Sequence, residues 1–487
     1  MSTDAAPDDA RPSPERWGHP RALWMLLAVT VGVNFAFYGF RAFVAPYLAQ
    51  TIFGGEAAGD ALRDANLLTA GVGALLYATH MFGGWVADNV LGEVRALRTA
   101  IWLEAVALAV MAWPTRTGFL LGLAIFVLAA GLSIPLTVLV GRNYGPDDPR
   151  RDAGYTLFYL AINLGAFVAP FVCADWVGHH FGYRYGFLAA SAGAAVAAVV
   201  FQWRSGPLQA RRPRARFGGP RALPAVLGGM LLLLYPTMLL LEHSQVLGSA
   251  VNVLLGLLVL YFVVGSVRRG DRVQARRYVA MLLLFAANIV FWALSLQGAT
   301  SLNFFARDHV RAPFDFTLFQ AANPLFILVF APAMAALWPW LDRRSKNPST
   351  PRKFGIGLLL VGLSYGVMVH AIGHMVGADG RVPWPMLALC YLLQTIGELA
   401  LSPIGYAMVT RLAAPEESSL AMGGWFFGVA MAYDLSGRIA AMTTTGGASG
   451  VVGYAHVYGL LFVFGVGASA VYLVAAPWIT RLMHGVR

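Results

Sequence analysis

Charged side chains inside apolar segments are the residues of this sequence whose chemistry can be interpreted first. Arg41 lies in the apolar run of residues 23–48, which is long enough to cross a bilayer at about 1.5 Å per residue. A charge at bilayer depth costs roughly 2.5–3.5 kcal/mol on insertion scales, so it usually faces a bundle interior or a water-filled cavity. We therefore predict that Arg41 faces such a cavity. The alternative is that it reaches the headgroups from the outer half of its segment.

In addition to Glu398, four other ionisable side chains inside apolar segments are candidates for coupling or gating. They are His80, Glu104, and the pair Asp434 and Arg438, which are four residues apart and share a helix face. A group with different pKa values in two conformations can couple a proton to the change between them. Asp434 is predicted to be a proton site or the outer-gate partner of Arg41, and the alternative is a local ion pair with Arg438. For His80 the alternative is a packed histidine.

The composition indicates what kind of protein positions these charges. Of the residues, 58% are hydrophobic and 12% are charged, and the mean hydropathy is +0.63. Soluble domains carry about twice that share of charge. An all-α membrane protein is therefore predicted. The net charge of +11 does not indicate nucleic-acid binding, because the basic residues lie in short connectors between apolar runs. Cys173 and Cys390 are expected to be buried rather than disulfide-bonded.

Fourteen apolar segments are candidate membrane spans. Six spans, a pair and six further spans predict two similar halves, which is the layout of proteins that work by alternating access around a central site. The predicted spans are 23–48, 66–87, 97–113, 118–140, 154–174, 185–203, 223–241, 248–266, 278–305, 317–341, 354–376, 384–410, 419–440 and 456–481.

The basic connectors predict the orientation and the domain boundaries. Connectors 204–221, 268–277 and 342–353 are rich in arginine and lysine and fall on one side, whereas loop 446–453 has neither residue. Both termini are therefore predicted to be cytoplasmic. The basic residues named in the prediction are Arg204, Arg211, Arg212, Arg214, Arg216, Arg221, Arg268, Arg269, Arg272, Arg276, Arg277, Arg343, Arg344, Lys346, Arg352 and Lys353. The predicted domains are a disordered cytoplasmic tail (1–20), an N-terminal six-helix bundle (21–203), a basic connector with an inserted helix pair (204–277) and a C-terminal six-helix bundle (278–487).

Short motifs along most of the chain resemble one known family. Residues 84–95, GWVADNVLGEVR, resemble the signature loop of the major facilitator superfamily, and the acid Asp88 there can lock one conformation through its neighbouring arginines. The other motifs resemble the proton-dependent oligopeptide transporter (POT) family of that superfamily. They are FAFYGFR (35–41), DPRRDAG (148–154), FYLAINLG (158–165), FWALSLQGATSL (291–302), NPLF (323–326), TIGELALSP (395–403) and GGWF (423–426).

The resemblance implies a major facilitator fold of two six-helix bundles with an inserted hairpin, and a binding site for di- or tripeptides. It implies that Arg41 meets the peptide carboxylate and Glu398 the amino group. A zwitterion needs both partners, because burying either charge bare costs several kcal/mol. For the aromatic residues the alternative is helix packing. The further binding residues that the resemblance implies are Phe37, Tyr38, Tyr159, Asn163, Gln297, Asn323, Ser402 and Trp425.

Residues that the family links to proton coupling are missing. The family's E-x-x-E-R positions are Thr30, Val33 and Asn34 here, its K-P-N reads Ile134-Pro-Leu, and residues 291–297 contain no acid. Three hypotheses remain open. Coupling has moved to other groups, or the protein is an uncoupled facilitator, or the substrate is not a peptide. The candidate coupling and gating residues are Glu398, Asp434, Arg438, His80 and Asp88.

An enzyme is not expected, because the sequence contains no phosphate-binding G-x-x-x-x-G-K-[ST] motif and no cluster of metal ligands. No cofactor is expected, with protons as a possible coupling ion. The other class considered is a non-transporting sensor or scaffold, whose arginine-rich connectors would dock a partner or anionic lipid. The expected setting is a bacterial cytoplasmic (inner) membrane, as a monomer in contact with lipid.

Overall fold

The structure is a computed structural model that describes residues 15–144, 148, 150–206, 208, 215–268, 270–414, 417–443 and 450–486. Residues 1–14, four arginines of the predicted connectors (Arg211, Arg212, Arg214 and Arg269) and half of loop 446–453 (residues 446–449) lie outside this range. The described part confirms the all-α prediction, and its strands are only two residues long. They are Glu15–Arg16 with His19–Pro20, antiparallel, and Val310–Arg311 with Val382–Pro383, parallel.

Fourteen long helices correspond one to one with the predicted spans. They are α1 Arg21–Arg41, α2 Ala58–Val86, α3 Glu93–Met111, α4 Arg116–Gly131, α5 Arg151–Ala169, α6 Tyr183–Arg204, α7 Ala222–Glu242, α8 Ser244–Arg268, α9 Arg272–Ser295, α10 Ala322–Arg343, α11 Thr350–His374, α12 Trp384–Leu412, α13 Ser418–Met442 and α14 Val451–Leu482. Within the described residues, twelve helical segments are long and apolar enough by themselves to cross a membrane. Helix α2 begins eight residues before the predicted span, because its charged first turns are helical outside the apolar run.

The helices pack as two groups. In the first, α1 packs on α5 and α6, and α3 packs on α4 and α6; in the second, α11 packs on α12 and α14, and α9 packs on α13. The groups meet mainly where α2 packs along α13 and α5 along α10. Small residues allow these close approaches. A Cβ at Gly165 of α5 would lie 2.4 Å from the Val31 carbonyl oxygen of α1, and one at Gly437 of α13 would lie 2.5 Å from Ala70 Cβ of α2.

The inserted hairpin contacts both groups. Helix α7 packs on α4, where Arg116 Nε lies 3.5 Å from Glu242 Oε1. Helix α8 packs on α13 and α9, and the Tyr261 hydroxyl donates to Glu417 Oε1 at 2.8 Å. The Tyr278 hydroxyl of α9 donates to the other carboxylate oxygen of Glu417. One buried carboxylate therefore ties the hairpin to the C-terminal bundle.

Three spans that were predicted as continuous are interrupted. In the fourth span, α4 ends at Gly131 and a short helix, Pro135–Gly141, follows it. Helix α1 ends at Arg41, and a short helix at Val44–Tyr47 and a π-helical turn at Leu48–Ile52 follow it. Pro46 explains the interruption, because it has no N–H to donate to the carbonyl four residues earlier. Helix α9 ends at Ser295 and continues as a 3-10 turn, Leu296–Ala299, and a short helix, Ser301–His309.

The predicted disordered tail is too long by six residues. Residues 15–20 form the antiparallel strand pair, and Trp17 packs edge-on against Trp24 of α1 with ring centroids 4.9 Å apart. Arg150 Nη1 lies 2.7 Å from Glu15 Oε1 and anchors the pair to the start of α5. The sequence of the first 20 residues does not predict this ordered segment, because it is polar and rich in proline. The residue that anchors the segment, Arg150, is 135 residues from Glu15.

Candidate functional site

A cavity of about 120 Å³ lies between the two bundles and is lined by residues of both. Aromatic and uncharged polar side chains form most of its wall, and Arg41 and Glu398 are its charged members. The lining residues are Phe37, Tyr38, Arg41, Tyr77, Trp292, Ser295, Leu296, Gly298, Gln320, Asn323, Pro324, Tyr391, Gln394, Glu398, Val429 and Tyr433.

Arg41 lies at the last residue of α1, where the helix is interrupted. Its guanidinium carbon is 5.4 Å from the centroid of the Tyr38 ring, within cation–π range. Tyr77, Tyr391 and Tyr433 line the same cavity. Within the described residues no carboxylate forms an ion pair with Arg41. A guanidinium held among tyrosines and facing a cavity can receive a carboxylate from a solute.

Glu398 lies on α12 of the opposite bundle, and Asn323 at the start of α10 holds it. The Asn323 Nδ2 atom donates to Glu398 Oε2 at 2.9 Å and to Thr395 Oγ1 at 3.1 Å. Thr395 Oγ1 in turn donates to the Tyr391 carbonyl oxygen at 2.8 Å. Asn323 was predicted to bind substrate, and it lines the cavity, where its amide donates to the Glu398 carboxylate and to the Thr395 hydroxyl.

We expect Asn323→Leu to weaken dipeptide binding about three- to tenfold, because an amide hydrogen bond to a charged group contributes roughly 1.5–3 kcal/mol and water replaces part of it. Titration of purified protein with Ala-Ala measures the change. In a Glu398→Gln background the same substitution should have a much smaller effect. Equal effects in both backgrounds would show that Asn323 does not act through Glu398.

The break in α9 places a backbone carbonyl at the cavity. The Gly298 carbonyl oxygen accepts from Gln320 Nε2 at 2.7 Å and from the Tyr391 hydroxyl at 3.4 Å. Discontinuous helices are typical of transporter sites, because irregular backbone is tolerated where it lines a cavity. Gln320 and Tyr391 hold this turn, and sequence reasoning named neither.

Seven aromatic or polar lining side chains were missed: Tyr77, Trp292, Ser295, Gln320, Tyr391, Gln394 and Tyr433. For two of them a signal was present. Gln394 and Tyr391 precede Glu398 by four and seven residues, which places all three on one face of α12. For the residues on other helices no local pattern distinguishes a cavity-facing side chain from a packed one.

Five predicted binding residues are not among the lining residues of the cavity. Gln297 is buried and donates to the Ser436 carbonyl oxygen at 3.1 Å, joining α9 to α13. Trp425 packs edge-on against Phe285, with centroids 5.8 Å apart. The others are Asn163, whose amide donates to the Tyr159 carbonyl oxygen at 2.9 Å, Tyr159 itself, and Ser402, whose buried hydroxyl has no hydrogen-bond partner in the described part.

The positions that replace the family's first-span charges are satisfied inside α1. Thr30 Oγ1 donates to the Leu26 carbonyl oxygen at 2.7 Å, and Asn34 Nδ2 donates to the Thr30 carbonyl oxygen at 2.8 Å. Neither side chain has a charge to exchange. These contacts keep both groups within their own helix.

The other ionisable residues predicted for coupling lie apart from the cavity lining. Asp434 Oδ2 accepts from Arg438 Nε at 2.9 Å, which is the local ion pair considered as the alternative, and α8 packs against this carboxylate at Gly248. His80 packs between Tyr77 and Phe426 at the contact of α2 with α13, in agreement with the alternative of a packed histidine.

Charged loop residues form pairs at the ends of the helices. Glu93 is buried at the start of α3, and its Oε1 atom lies 2.7 Å from Arg142 Nη2, whereas the predicted gating residue Asp88 is exposed. Hydrogen bonds from the Arg150 side chain hold the pKa of the Asp148 carboxyl below its ordinary value. Glu93 and Arg142 join the loop after α2 to the C-terminal end of the fourth span.

Comparisons with known proteins give one consistent result. The family model described as "POT family" matches residues 103–457. "Uncharacterized transporter YclF" of Bacillus subtilis is 30% identical over 488 residues, covering 96% of each chain. "Peptide transporter YePEPT" of Yersinia enterocolitica is 32% identical over 440 residues, covering 84% of this chain and 85% of the relative. The crystal structure of a mutant of peptide transporter POT in complex with alafosfalin superposes with a TM-score of 0.84 at 30% identity, covering 97% of this chain and 98% of the other.

Proposed function

The chain belongs to the POT family of transporters, and on this basis we propose that it carries di- or tripeptides, or peptide-like zwitterions, across a membrane by alternating access. One observation carries the proposal. Arg41 and Glu398 come from different bundles, line the same cavity and form no direct ion pair there. A zwitterion between them would neutralise both charges and connect the two bundles.

The proposed site separates the two recognition tasks. Arg41 receives the carboxylate, and Glu398, oriented by Asn323, receives the ammonium group. Aromatic side chains such as Phe37 and Trp292 provide apolar surface for peptide side chains, with few geometric demands. Because the lining contributed by the described residues contains no third charged side chain, peptides with uncharged side chains fit this wall best.

The basic connectors support a placement in the bacterial cytoplasmic membrane with both termini inside. We propose further that the protein acts as a monomer surrounded by lipid. A membrane-impermeant thiol reagent applied from outside should fail to label a cysteine introduced at Lys346, and labelling from outside would reverse the orientation.

Proton coupling is proposed to be weak. The family's first-span acids are replaced by Thr30 and Val33, and Asp434 is engaged by Arg438. Uptake of labelled Ala-Ala into proteoliposomes should therefore rise less than about threefold when an inward proton gradient is imposed. Among the residues that the structure describes, Glu398 is the one acid that lines the cavity and could change its proton occupancy.

The outcomes of this uptake assay separate the hypotheses. A large gradient effect that Glu398→Gln or Asp434→Asn abolishes would show relocated coupling. Gradient-independent uptake indicates a facilitator. Binding without any flux would indicate a sensor on a transporter fold, and neither binding nor flux of any small peptide would indicate another substrate.

A further inference from the structure

The end of α1 contains a buried carbonyl that its own helix cannot satisfy. In a regular helix the N–H of residue 46 would donate to the carbonyl oxygen of Ala42, but residue 46 is proline and has no N–H. Ala42 and Phe43 are fully buried, and Phe43 leaves helical geometry at φ −126° and ψ 0°. A buried carbonyl without a donor costs free energy, so a donor must come from elsewhere.

The donor comes from the opposite bundle. Asn303 lies in the short helix Ser301–His309 that follows the break in α9, and its Nδ2 atom donates to the Ala42 carbonyl oxygen at 3.4 Å. Asn303 is itself fully buried, and its Oδ1 atom has no hydrogen-bond partner within the described residues. The amide therefore donates across the boundary between the bundles.

The contact lies on the side of the molecule away from the basic connectors. Helix α1 begins at the N-terminal side and α9 begins at the connector 268–277, so their C-terminal ends share the opposite side. On the same side, His179 of the first bundle has its Nδ1 atom 3.5 Å from Asp315 Oδ2 of the second. Separating the bundles here would break the Asn303 hydrogen bond.

We propose that Asn303 is a positioning residue for Arg41. By holding the carbonyl of the next residue it fixes the end of α1, and with it the guanidinium, whenever the outer side is closed. This inference rests on the proposed function in assigning the substrate carboxylate to Arg41. Opening of the outer side breaks the Asn303–Ala42 hydrogen bond and allows Arg41 to move. The same hydrogen bond therefore stabilises the closed arrangement of the bundles and positions Arg41 for the substrate.

Two measurements test the proposal. Spin labels at Glu56→Cys and Val376→Cys, on outer loops of the two bundles, report the outer distance by double electron–electron resonance without any substrate. Asn303→Leu, which keeps the shape but removes the donor, should raise the ratio of open to closed molecules about two- to tenfold, the range expected for one hydrogen bond. It should weaken Ala-Ala binding by a similar factor.

Pro46→Ala provides an independent route that leaves Asn303 unchanged. Alanine gives the Ala42 carbonyl a backbone donor within its own helix, so this variant should also raise the open fraction. Adding Asn303→Leu to it should then change the ratio less than about twofold. The matched control is Asn288→Leu, because Asn288 is a buried asparagine of α9 whose amide has no hydrogen-bond partner in the described part. The control should leave the outer distance unchanged.

The results separate this proposal from the proposed function. An unchanged outer distance or unchanged Ala-Ala affinity in Asn303→Leu would overturn the positioning role, as would an equal effect of Asn303→Leu with and without Pro46. If the unsubstituted protein does not bind Ala-Ala while the distances change as expected, the substrate assignment fails and the hydrogen bond between the bundles stands.

Discussion

Replacing Arg41 or Glu398 with alanine is expected to raise the Kd for Ala-Ala about a hundredfold. Truncating one partner of a buried charge pair costs about 2–5 kcal/mol, because the other charge remains buried and unpaired. Each side chain would leave one end of the zwitterion without its partner. The ligand-induced rise of the melting temperature measures the loss, since a ligand that binds only the native state stabilises it.

The controls for this experiment are Arg116→Met and Glu242→Gln. These two residues are also an arginine and a glutamate, and they pair at 3.5 Å where the hairpin meets α4, outside the central cavity. Both controls should bind Ala-Ala with unchanged affinity. Normal affinity in Arg41→Ala and Glu398→Ala would refute the site, and lost binding in the controls would show that the assay reports folding instead.

Gly73→Leu is expected to reduce Ala-Ala uptake more than about tenfold, because overpacked side chains force backbone shifts in a close-packed contact. Gly73 lies on α2 where it faces α13, and an ideal Cβ there would be 2.1 Å from Cδ1 of the Tyr433 ring. Tyr433 lines the cavity. A leucine at residue 73 would therefore push the two bundles apart and would also displace Tyr433 from the cavity wall.

The matched control is Gly256→Leu on the hairpin helix α8, where a Cβ would have no neighbour within 4 Å. Its uptake should equal that of the unsubstituted protein. Protein amount and monodispersity in the vesicles must match across variants. Unimpaired uptake by Gly73→Leu would show that α2 and α13 do not approach so closely during transport.

The sequence determined the architecture. Membrane spans are set by local hydropathy, because a helix in lipid must satisfy its backbone within itself. The fourteen spans, including the inserted pair, were therefore identified correctly. The resemblance of the short motifs identified the POT family. The prediction that Arg41 faces a cavity rested on an equally local argument, because a charged side chain inside the bilayer is destabilised unless it faces the bundle interior or water.

Only the tertiary structure decided which polar side chains face the cavity. Gln297 belongs to the same motif as the lining residues Trp292 and Ser295, yet it joins α9 to α13, and Trp425 of the GGWF motif packs among aromatic rings. Tyr391 and Tyr433 belong to no motif and line the cavity. The side of a helix that faces a cavity depends on where its neighbours stand, and that information is spread over the whole chain.

The breaks in α1 and α9 also show which features follow from the local sequence and which follow from the tertiary structure. Pro46 by itself determined that the Ala42 carbonyl would lose its helical donor, because proline has no N–H wherever it occurs. That Asn303, 261 residues away, supplies the replacement was decided only when the two bundles came together. The proline at residue 46 leaves the Ala42 carbonyl without a helical donor. Long-range packing of the two bundles supplies the new donor, and residue spacing in the sequence does not predict that contact.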